Sequence, residues 1–401
     1  MLYNNSVDLY YVDSLVIFLL SELSNLFFCS IILLLLFYFK KLNKQELIFS
    51  FTGFSSIIIL APFIQDLFPD AGGYLRCLRD FKDNFNFDEL PCQASMSADS
   101  ETFQFLNFKR SAPAIYYSII PIPSIATIVS LGFINKLYIL AMYLFIRNRL
   151  NNDEIKFYLL LLLFFPTLLL YSATGLRDTF VLIVMSILLF TIIERRWIIS
   201  TLLLVLLASI KTQNAAVLLI LYIGVFLFRS HKSFRYLLLF LIAFLITTNL
   251  FEIEILGVIN YFRMGFLHEM DMLPPSGIVV EYESISSLII NSPIIFLQGI
   301  FSPGFGIGGL NLVFFPESIL FIVLFILGAR QSNYFSESLN WLVFLVFAIG
   351  IVLNTIVVEN DATFLRYRFT FIYLIMFHLL FVLDKKKTNS LKEGLEMQNK
   401  S

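Results

Sequence analysis

The chain has 401 residues, of which 58% are hydrophobic and only 14% charged, and its formal net charge is -1. Soluble domains usually carry about 25% charged residues, so this composition excludes an ordinary soluble protein and indicates one that crosses a membrane many times. The near-neutral charge gives no indication of nucleic-acid binding. We therefore predict an all-α fold, a polytopic helical bundle embedded in the lipid bilayer.

Long apolar runs recur along the chain, and a spanning helix needs about 20 mostly apolar residues. We predict about eleven transmembrane helices, at 14–39, 47–64, 124–146, 156–174, 178–193, 197–211, 212–228, 236–251, 309–329, 341–357 and 369–383. They form a single transmembrane domain, 1–383, followed by a charged tail, 384–401, that we predict to be disordered. The apolar segment 285–302 contains Pro293, and we predict a broken segment that re-enters the membrane or lies on its outer surface.

The distribution of lysine and arginine predicts the orientation of these helices. One set of loops, together with the tail, holds 17 of the 28 basic residues but only 8 of the 29 acidic residues. Basic loops remain in the cytoplasm, so we predict an external amino terminus and a cytoplasmic carboxyl terminus. Two large segments, about 65–123 and 252–308, then lie outside.

The three cysteines give little functional information. Cys29 lies in an apolar run, where packing is its expected role. Cys77 and Cys92 fall in the first outer loop, where a disulfide is chemically permissible and free thiols are the alternative. No Cys/His cluster or compact acidic cluster indicates a metal, and we predict neither a metal nor a cofactor.

Charged side chains at three short outer turns are the main candidates for chemistry. They are Arg177 with Asp178, Lys211, and Arg366 with Arg368. A charge at membrane depth costs roughly 2.5–3.5 kcal/mol on insertion scales, so charges that persist beside spans need a reason. Guanidinium groups present paired donors to phosphate oxygens and stay charged, so this cluster suits a pyrophosphate.

Each of these residues also has a structural interpretation. Arg177 and Asp178 would form a local ion pair or a helix cap. Lys211 would be a simple turn residue. Arg366 and Arg368 would reach the phosphates of surrounding lipids.

Four further residues complete the candidates. Lys136 lies in the middle of the predicted third span, where pairing with a neighbouring helix is the structural alternative. Asp70 follows the second span and could accept a proton, although a solvated loop carboxylate explains it equally. Arg263 and His268 lie in the second large loop, where an exposed histidine is the ordinary expectation.

Several of these segments together resemble the polytopic proteins of bacterial surface-polysaccharide clusters. The matching segments are Phe165-Pro-Thr167, Ser172-Ala-Thr-Gly-Leu-Arg177-Asp178, Glu194-Arg-Arg196, the basic residue Lys211 that ends a span, and Asp361-Ala-Thr-Phe-Leu-Arg366-Tyr-Arg368. Those proteins are the O-antigen or oligosaccharide repeat-unit polymerases of the Wzy type and their relatives in exopolysaccharide synthesis. The resemblance covers about 60–383, but the two large loops lack the matching arginine motifs that these polymerases carry.

The resemblance implies a glycosyltransferase of the bacterial inner membrane, with a periplasmic amino terminus and two periplasmic loops. It would transfer an undecaprenyl-pyrophosphate-linked glycan onto a new lipid-linked repeat unit. Its expected partners are that glycan, the bilayer, and a chain-length regulator and flippase of the same pathway. The catalytic residues would be Asp70, Arg177 and Asp178. The pyrophosphate would bind to Arg177, Lys211, Arg366 and Arg368, with Lys136, Arg263 and His268 as additional candidates.

Two other functions remain open. A lipid-linked oligosaccharide flippase or other transporter should show internal repeats and charges that line mid-bilayer helices, and Lys136 alone favours it. A membrane glycosyltransferase that uses a lipid-monophosphate sugar donor would give Asp70 more weight.

Overall fold

The structure is a computed structural model that describes residues 15–64, 75, 78, 115–125, 127–173, 175–227, 256–257, 259–260, 284–301, 311–357 and 361–398. This part of the chain is 88% helix and contains no strand, which confirms the predicted all-α fold. Five of its helices are long and apolar enough to cross a membrane, and a bent helix pair brings the number to six. The described part of the chain is therefore a helical membrane protein by length and composition.

Within these residues the structure has twelve α-helices of eight or more residues. They are α1 (Leu15–Tyr38), α2 (Lys44–Ile64), α3 (Ile128–Arg147), α4 (Asp153–Leu162), α5 (Pro166–Ala173), α6 (Arg177–Ile193), α7 (Trp197–Ile210), α8 (Thr212–Leu227), α9 (Ile285–Phe301), α10 (Asn311–Ser332), α11 (Ser338–Val357) and α12 (Asp361–Gln398). A short 3₁₀ helix, Tyr334–Ser336, lies between α10 and α11.

The structure divides the predicted span 156–174 into two helices. α4 ends at Leu162, α5 begins at Pro166, and the two axes are bent by 58°. Proline disfavours the helical conformation in the residue before it and suits the first position of a new helix. The segment predicted as one spanning helix is therefore a bent pair of helices, because Pro166 starts a second helix.

Two other segments are more helical than predicted. α12 continues to Gln398, so the tail is not disordered over 384–398, where lysine, leucine, glutamate and glutamine favour a helix. α9 continues through Pro293, so the expected break is absent from Ile285–Phe301. The predicted span 236–251 lies outside the described residues, as do most of the two large loops.

The chain forms two compact units. The first consists of Met1–Ile187 with Val205–Thr212, and the second of Leu188–Leu204 with Gln213–Ser401. In the first unit α1, α2, α3 and α5 pack against one another. In the second unit α9, α10, α11 and α12 do so.

Polar and basic residues define the turn between α1 and α2. Asn43 and Glu46 form a reciprocal cap, in which each side chain accepts from the other's backbone N–H at 2.9 and 2.7 Å. Glu46 also forms an ion pair of 2.7 Å with Arg147 at the end of α3 and accepts from the Tyr143 hydroxyl at 2.5 Å. This network joins two turns that the charge distribution places on the same side of the membrane.

Two helices end on a basic residue with a left-handed backbone. Lys40 follows α1 with φ 55°, and Arg195 follows α6 with φ 59°. In both turns the next N–H reaches back five residues, from Lys41 to the Leu36 carbonyl at 2.8 Å and from Arg196 to the Thr191 carbonyl at 2.8 Å. This is the helix-ending geometry in which glycine is the usual residue.

Candidate functional site

The start of α6 places Asp178 inside the first unit. Arg177 is the first residue of α6, and Asp178 lies in its first turn, where a carboxylate interacts favourably with the helix dipole. Asp178 is fully buried, whereas Arg177 is half-buried. The two neighbouring residues thus lie in different environments.

The turn between α7 and α8 consists of one residue, Lys211. α7 ends at Ile210 and α8 begins at Thr212. In the second unit the Trp197 ring at the start of α7 contacts the Phe226 ring at the end of α8, with centroids 5.5 Å apart. The chain therefore reverses direction at Lys211, and the predicted turn there is present.

Lys211 and Asp178 form a buried ion pair. The Lys211 ammonium donates to a carboxylate oxygen of Asp178 at 2.6 Å, and the two side chains are only 4% and 1% exposed. Removing two charges from water is costly unless they neutralise each other at short range. The pair therefore links two candidate turns that are 33 positions apart, and Arg177 directly precedes one of its members in the chain.

Close backbone packing holds the segment before α6 against α3. A Cβ on Gly132 would collide with the Ala173 backbone, and a Cβ on Gly175 would collide with the Leu131 side chain. The Asn135 amide donates to the Leu176 carbonyl at 3.4 Å. Glycine at both contacts lets α3 approach the segment that leads directly into Arg177, so the position of this arginine depends on α3.

Lys136 lies on α3 and is buried in the first unit. It lines a cavity of about 40 Å³, shared with Ser50 and Tyr143, which is large enough for water. The structural alternative for Lys136 was pairing with a neighbouring helix, and among the described residues it forms no ion pair with one. The cavity is lined mainly by apolar side chains, and Ser50 and Tyr143 supply its other polar groups.

Arg368 lies in the second unit and binds protein groups. Its guanidinium donates to the Gly299 carbonyl at 2.8 Å and to the Ile300 carbonyl at 2.5 Å, both in the last turn of α9. It also donates to the Ser318 hydroxyl at 3.1 Å on α10. The last carbonyls of a helix have no partners inside the helix, so Arg368 caps α9 from α12.

The remaining candidate side chains lie outside the described part of the structure. Asp70, Arg263 and His268 lie outside the described residues, as do Cys77 and Cys92. Arg366 lies on α12, but its side chain is outside the described part of the structure. The structure thus brings Asp178 and Lys211 together beside Arg177 in the first unit, whereas Arg366 and Arg368 belong to the second unit.

A buried carboxylate on α1 escaped the sequence analysis. Glu22 is fully buried and accepts hydrogen bonds from Thr127 at 2.8 Å, Ser130 at 2.7 Å and Asn25 at 3.2 Å. Thr127 also caps the start of α3, so the cluster fixes α1 to that end of α3. Its position in the sequence could have indicated this role, because burying an acidic side chain inside a 24-residue apolar helix costs free energy unless the side chain has polar partners.

Neither a metal cluster nor a relative identifies the site. Within the described residues no group of three His, Cys, Asp or Glu side chains could hold a metal ion. No family model, curated protein or solved structure matches the chain. Any function therefore rests on the residues themselves and on their geometry.

Proposed function

We propose that the chain polymerises undecaprenyl-pyrophosphate-linked oligosaccharide repeat units at the periplasmic face of the bacterial inner membrane. One observation carries the proposal: a buried ion pair joins Asp178 to Lys211 directly beside Arg177. Both turns are ones that the charge distribution assigns to the outer face. A cation held on a packed framework at that face is what recognition of a lipid-linked pyrophosphate requires.

The proposed reaction is transfer of a glycan between two lipid carriers. A hydroxyl of the incoming repeat unit attacks the anomeric carbon of the growing chain, and a new glycosidic bond forms. The bond from that carbon to the pyrophosphate breaks, and the electron pair leaves with the phosphate. The proton of the hydroxyl passes to a carboxylate, for which Asp70 is the sequence candidate.

Charge stabilisation is the main demand of this reaction. Negative charge develops on the leaving pyrophosphate, and fixed donors aimed at that charge lower the barrier. Arg177 supplies such a donor at the start of α6. Asp178 and Lys211 neutralise each other, so their role is to fix the turns that carry Arg177. Arg366 is the second proposed pyrophosphate ligand.

The test is the length distribution of the surface glycan in cells that carry single variants. Arg177→Ala should leave one repeat unit on the surface acceptor instead of a ladder, because losing a charge contact at the pyrophosphate costs a few kcal/mol, roughly a hundredfold in rate. Arg177→Lys should recover only part of the ladder, since an ammonium cannot replace a forked contact. Arg366→Ala should behave like Arg177→Ala.

Arg196→Ala is the matched control. Arg196 follows the other end of α6, is largely exposed and pairs with Glu194 at 2.8 Å, so its loss should leave the ladder intact. All variants must accumulate in the membrane at the parental level. A full ladder from both Arg177→Ala and Arg366→Ala would refute the polymerase proposal.

Lys136 favours a second candidate function, a transporter of lipid-linked oligosaccharides. An ionisable side chain buried in a spanning helix beside a water-sized cavity is typical of transport pathways. The same glycan assay separates the two functions. Loss of a flippase removes every repeat unit from the surface, including the single unit, whereas loss of a polymerase leaves that unit in place. If the chain is a flippase, Lys136→Met should therefore remove every repeat unit from the surface, including the single unit.

A further inference from the structure

A polar cleft lies in the second unit, at the turn between α10 and α11. Its volume is about 380 Å³, within the usual range for sites that bind small molecules. Its wall includes one carboxylate, Glu337, and the polar or basic side chains Asn340, His378, Lys385 and Lys386, together with apolar side chains such as Leu339 and Phe381. None of these residues belongs to the proposed polymerase site.

The base of the cleft is held by a buried hydrogen-bond network. The Tyr334 hydroxyl lies 2.6 Å from Nδ1 of His378, and both residues are buried. The Asn340 amide donates to the Tyr334 carbonyl at 2.8 Å. These contacts fix polar side chains of α11 and α12 against the 3₁₀ helix. The wall is therefore organised before any ligand arrives, which lowers the cost of binding.

The two lysines supply positive charge to this wall. Lys386 donates to the Gln331 carbonyl at 2.8 Å, and the Lys385 ammonium lies 4.5 Å from the centre of the Phe381 ring. Within the described residues neither lysine forms an ion pair with a carboxylate. Their charges are thus held in place by neutral groups, and the two ammonium groups outnumber the single carboxylate of the wall, Glu337, so the cleft attracts an anion.

The position of the cleft indicates which anion it meets. Phe314–Ser332 and Ser338–Ile356 qualify as membrane spans, so the turn between them lies where the spans end. Lys385 and Lys386 lie in the last part of Tyr367–Ser390, which also qualifies. Basic pockets between helices at the membrane boundary are suited to phosphate-bearing lipid headgroups.

We propose that this cleft binds the phosphate group of an anionic phospholipid. Lys385 and Lys386 contact the phosphate, Asn340 and Asn389 lie near the polar headgroup, and Phe381 with Leu339 contacts the start of an acyl chain. Bound lipid would link α10, α11 and α12 at one membrane boundary. This inference is independent of the polymerase proposal, because it concerns a different set of residues and a different ligand.

The experiment compares lipid retention by the purified full chain. Native mass spectrometry counts the lipids bound after exchange into bilayer nanodiscs of phosphatidylglycerol or phosphatidylcholine. We expect selective retention of one phosphatidylglycerol, reduced at least fivefold in Lys385→Gln/Lys386→Gln. Lys387→Gln is the matched control, since it removes a charge from the same turn of α12 but does not line the cleft, and it should change retention less than twofold.

A second variant tests shape apart from charge. Asn389→Trp fills the cleft without altering the net charge, and it should also reduce retention at least fivefold. Equal losses from Lys387→Gln and from the double variant would mean diffuse surface attraction and would overturn the proposal. So would retention of phosphatidylcholine equal to that of phosphatidylglycerol. Displacement of the bound lipid by millimolar inorganic phosphate alone would assign the cleft to a soluble phosphate instead.

Discussion

Asp178 and Lys211 form an ion pair of 2.6 Å although 33 residues and one helical hairpin separate them along the chain. Both side chains are almost fully buried, so each charge depends on the other for its stability. The contact fixes the start of α6 against the end of α7. Because Arg177 precedes Asp178 directly, the same contact determines where that arginine lies.

Loss of one member of this pair should destabilise the protein more than loss of both. Lys211→Met leaves a buried carboxylate, and Asp178→Asn leaves a buried ammonium, so each should cost about 3–5 kcal/mol. The double variant removes both charges and should cost clearly less than the sum of the single variants. Thermal unfolding of the purified protein in detergent measures all three. Additive losses would show that the pair contributes no coupling energy.

Gly132→Ala should impair the site by moving α3 away from the segment that leads into α6. The added Cβ meets a backbone atom, that of Ala173, which cannot rotate away as a side chain could. We expect a lower unfolding temperature and loss of the glycan ladder. Gly53→Ala on α2 is the control, because its Cβ would make an ordinary contact of 3.6 Å with Phe164. Alanine favours a helix over glycine by about 1 kcal/mol, so this control should be neutral or stabilising.

Arg368→Ala should act through folding. It removes the donor to the Gly299 and Ile300 carbonyls and to the Ser318 hydroxyl, and each buried acceptor left without a partner costs about 1–3 kcal/mol. We expect reduced accumulation in the membrane together with a lower unfolding temperature. Arg330→Ala removes an exposed arginine from α10 and should change stability by less than about 0.5 kcal/mol. Normal stability combined with a lost ladder would instead make Arg368 a substrate ligand.

The orientation of the chain can be tested by cysteine labelling in a variant without native cysteines. Cysteine at Ser276, in the second large loop outside the described residues, should react with an impermeant thiol reagent in intact cells. Cysteine at Ser336 should react only after permeabilisation. Ser336 is exposed, whereas Ser332 in the same turn is buried and would stay unlabelled on either side. The reverse pattern would invert the predicted topology and every site assigned to the outer face.

The apolar runs predicted most helices of the described part because each helix needs only local sequence. Pro166 gave a local signal for the break between α4 and α5, which the overall hydrophobicity of that run concealed. The pairing of Asp178 with Lys211 could not be predicted, because it depends on the lengths of α6 and α7. The same holds for Glu22, whose partners Thr127 and Ser130 lie more than 100 positions away.

Arg368 shows a different limit of sequence reasoning. An arginine just before a long apolar run suits a lipid phosphate as well as a substrate phosphate. In both interpretations the guanidinium binds a group outside the helical bundle. The structure places its guanidinium at the end of α9, 69 positions earlier in the chain, and no local pattern predicts that contact. The residue type predicts a hydrogen-bond donor, but tertiary packing determines which acceptors it binds.

Lys40 and Arg195 retain left-handed backbones at helix ends where glycine would be easier to accommodate by about 1–2 kcal/mol. If only the free energy of unfolding were under selection, glycine would therefore be favoured at both positions. Both residues also belong to the basic loops that we predict to stay in the cytoplasm during insertion. In each turn one residue therefore affects both the stability of the helix end and the orientation of the chain. A change to glycine would relieve the backbone strain, but it would also remove a positive charge that helps to orient the chain as it inserts into the bilayer.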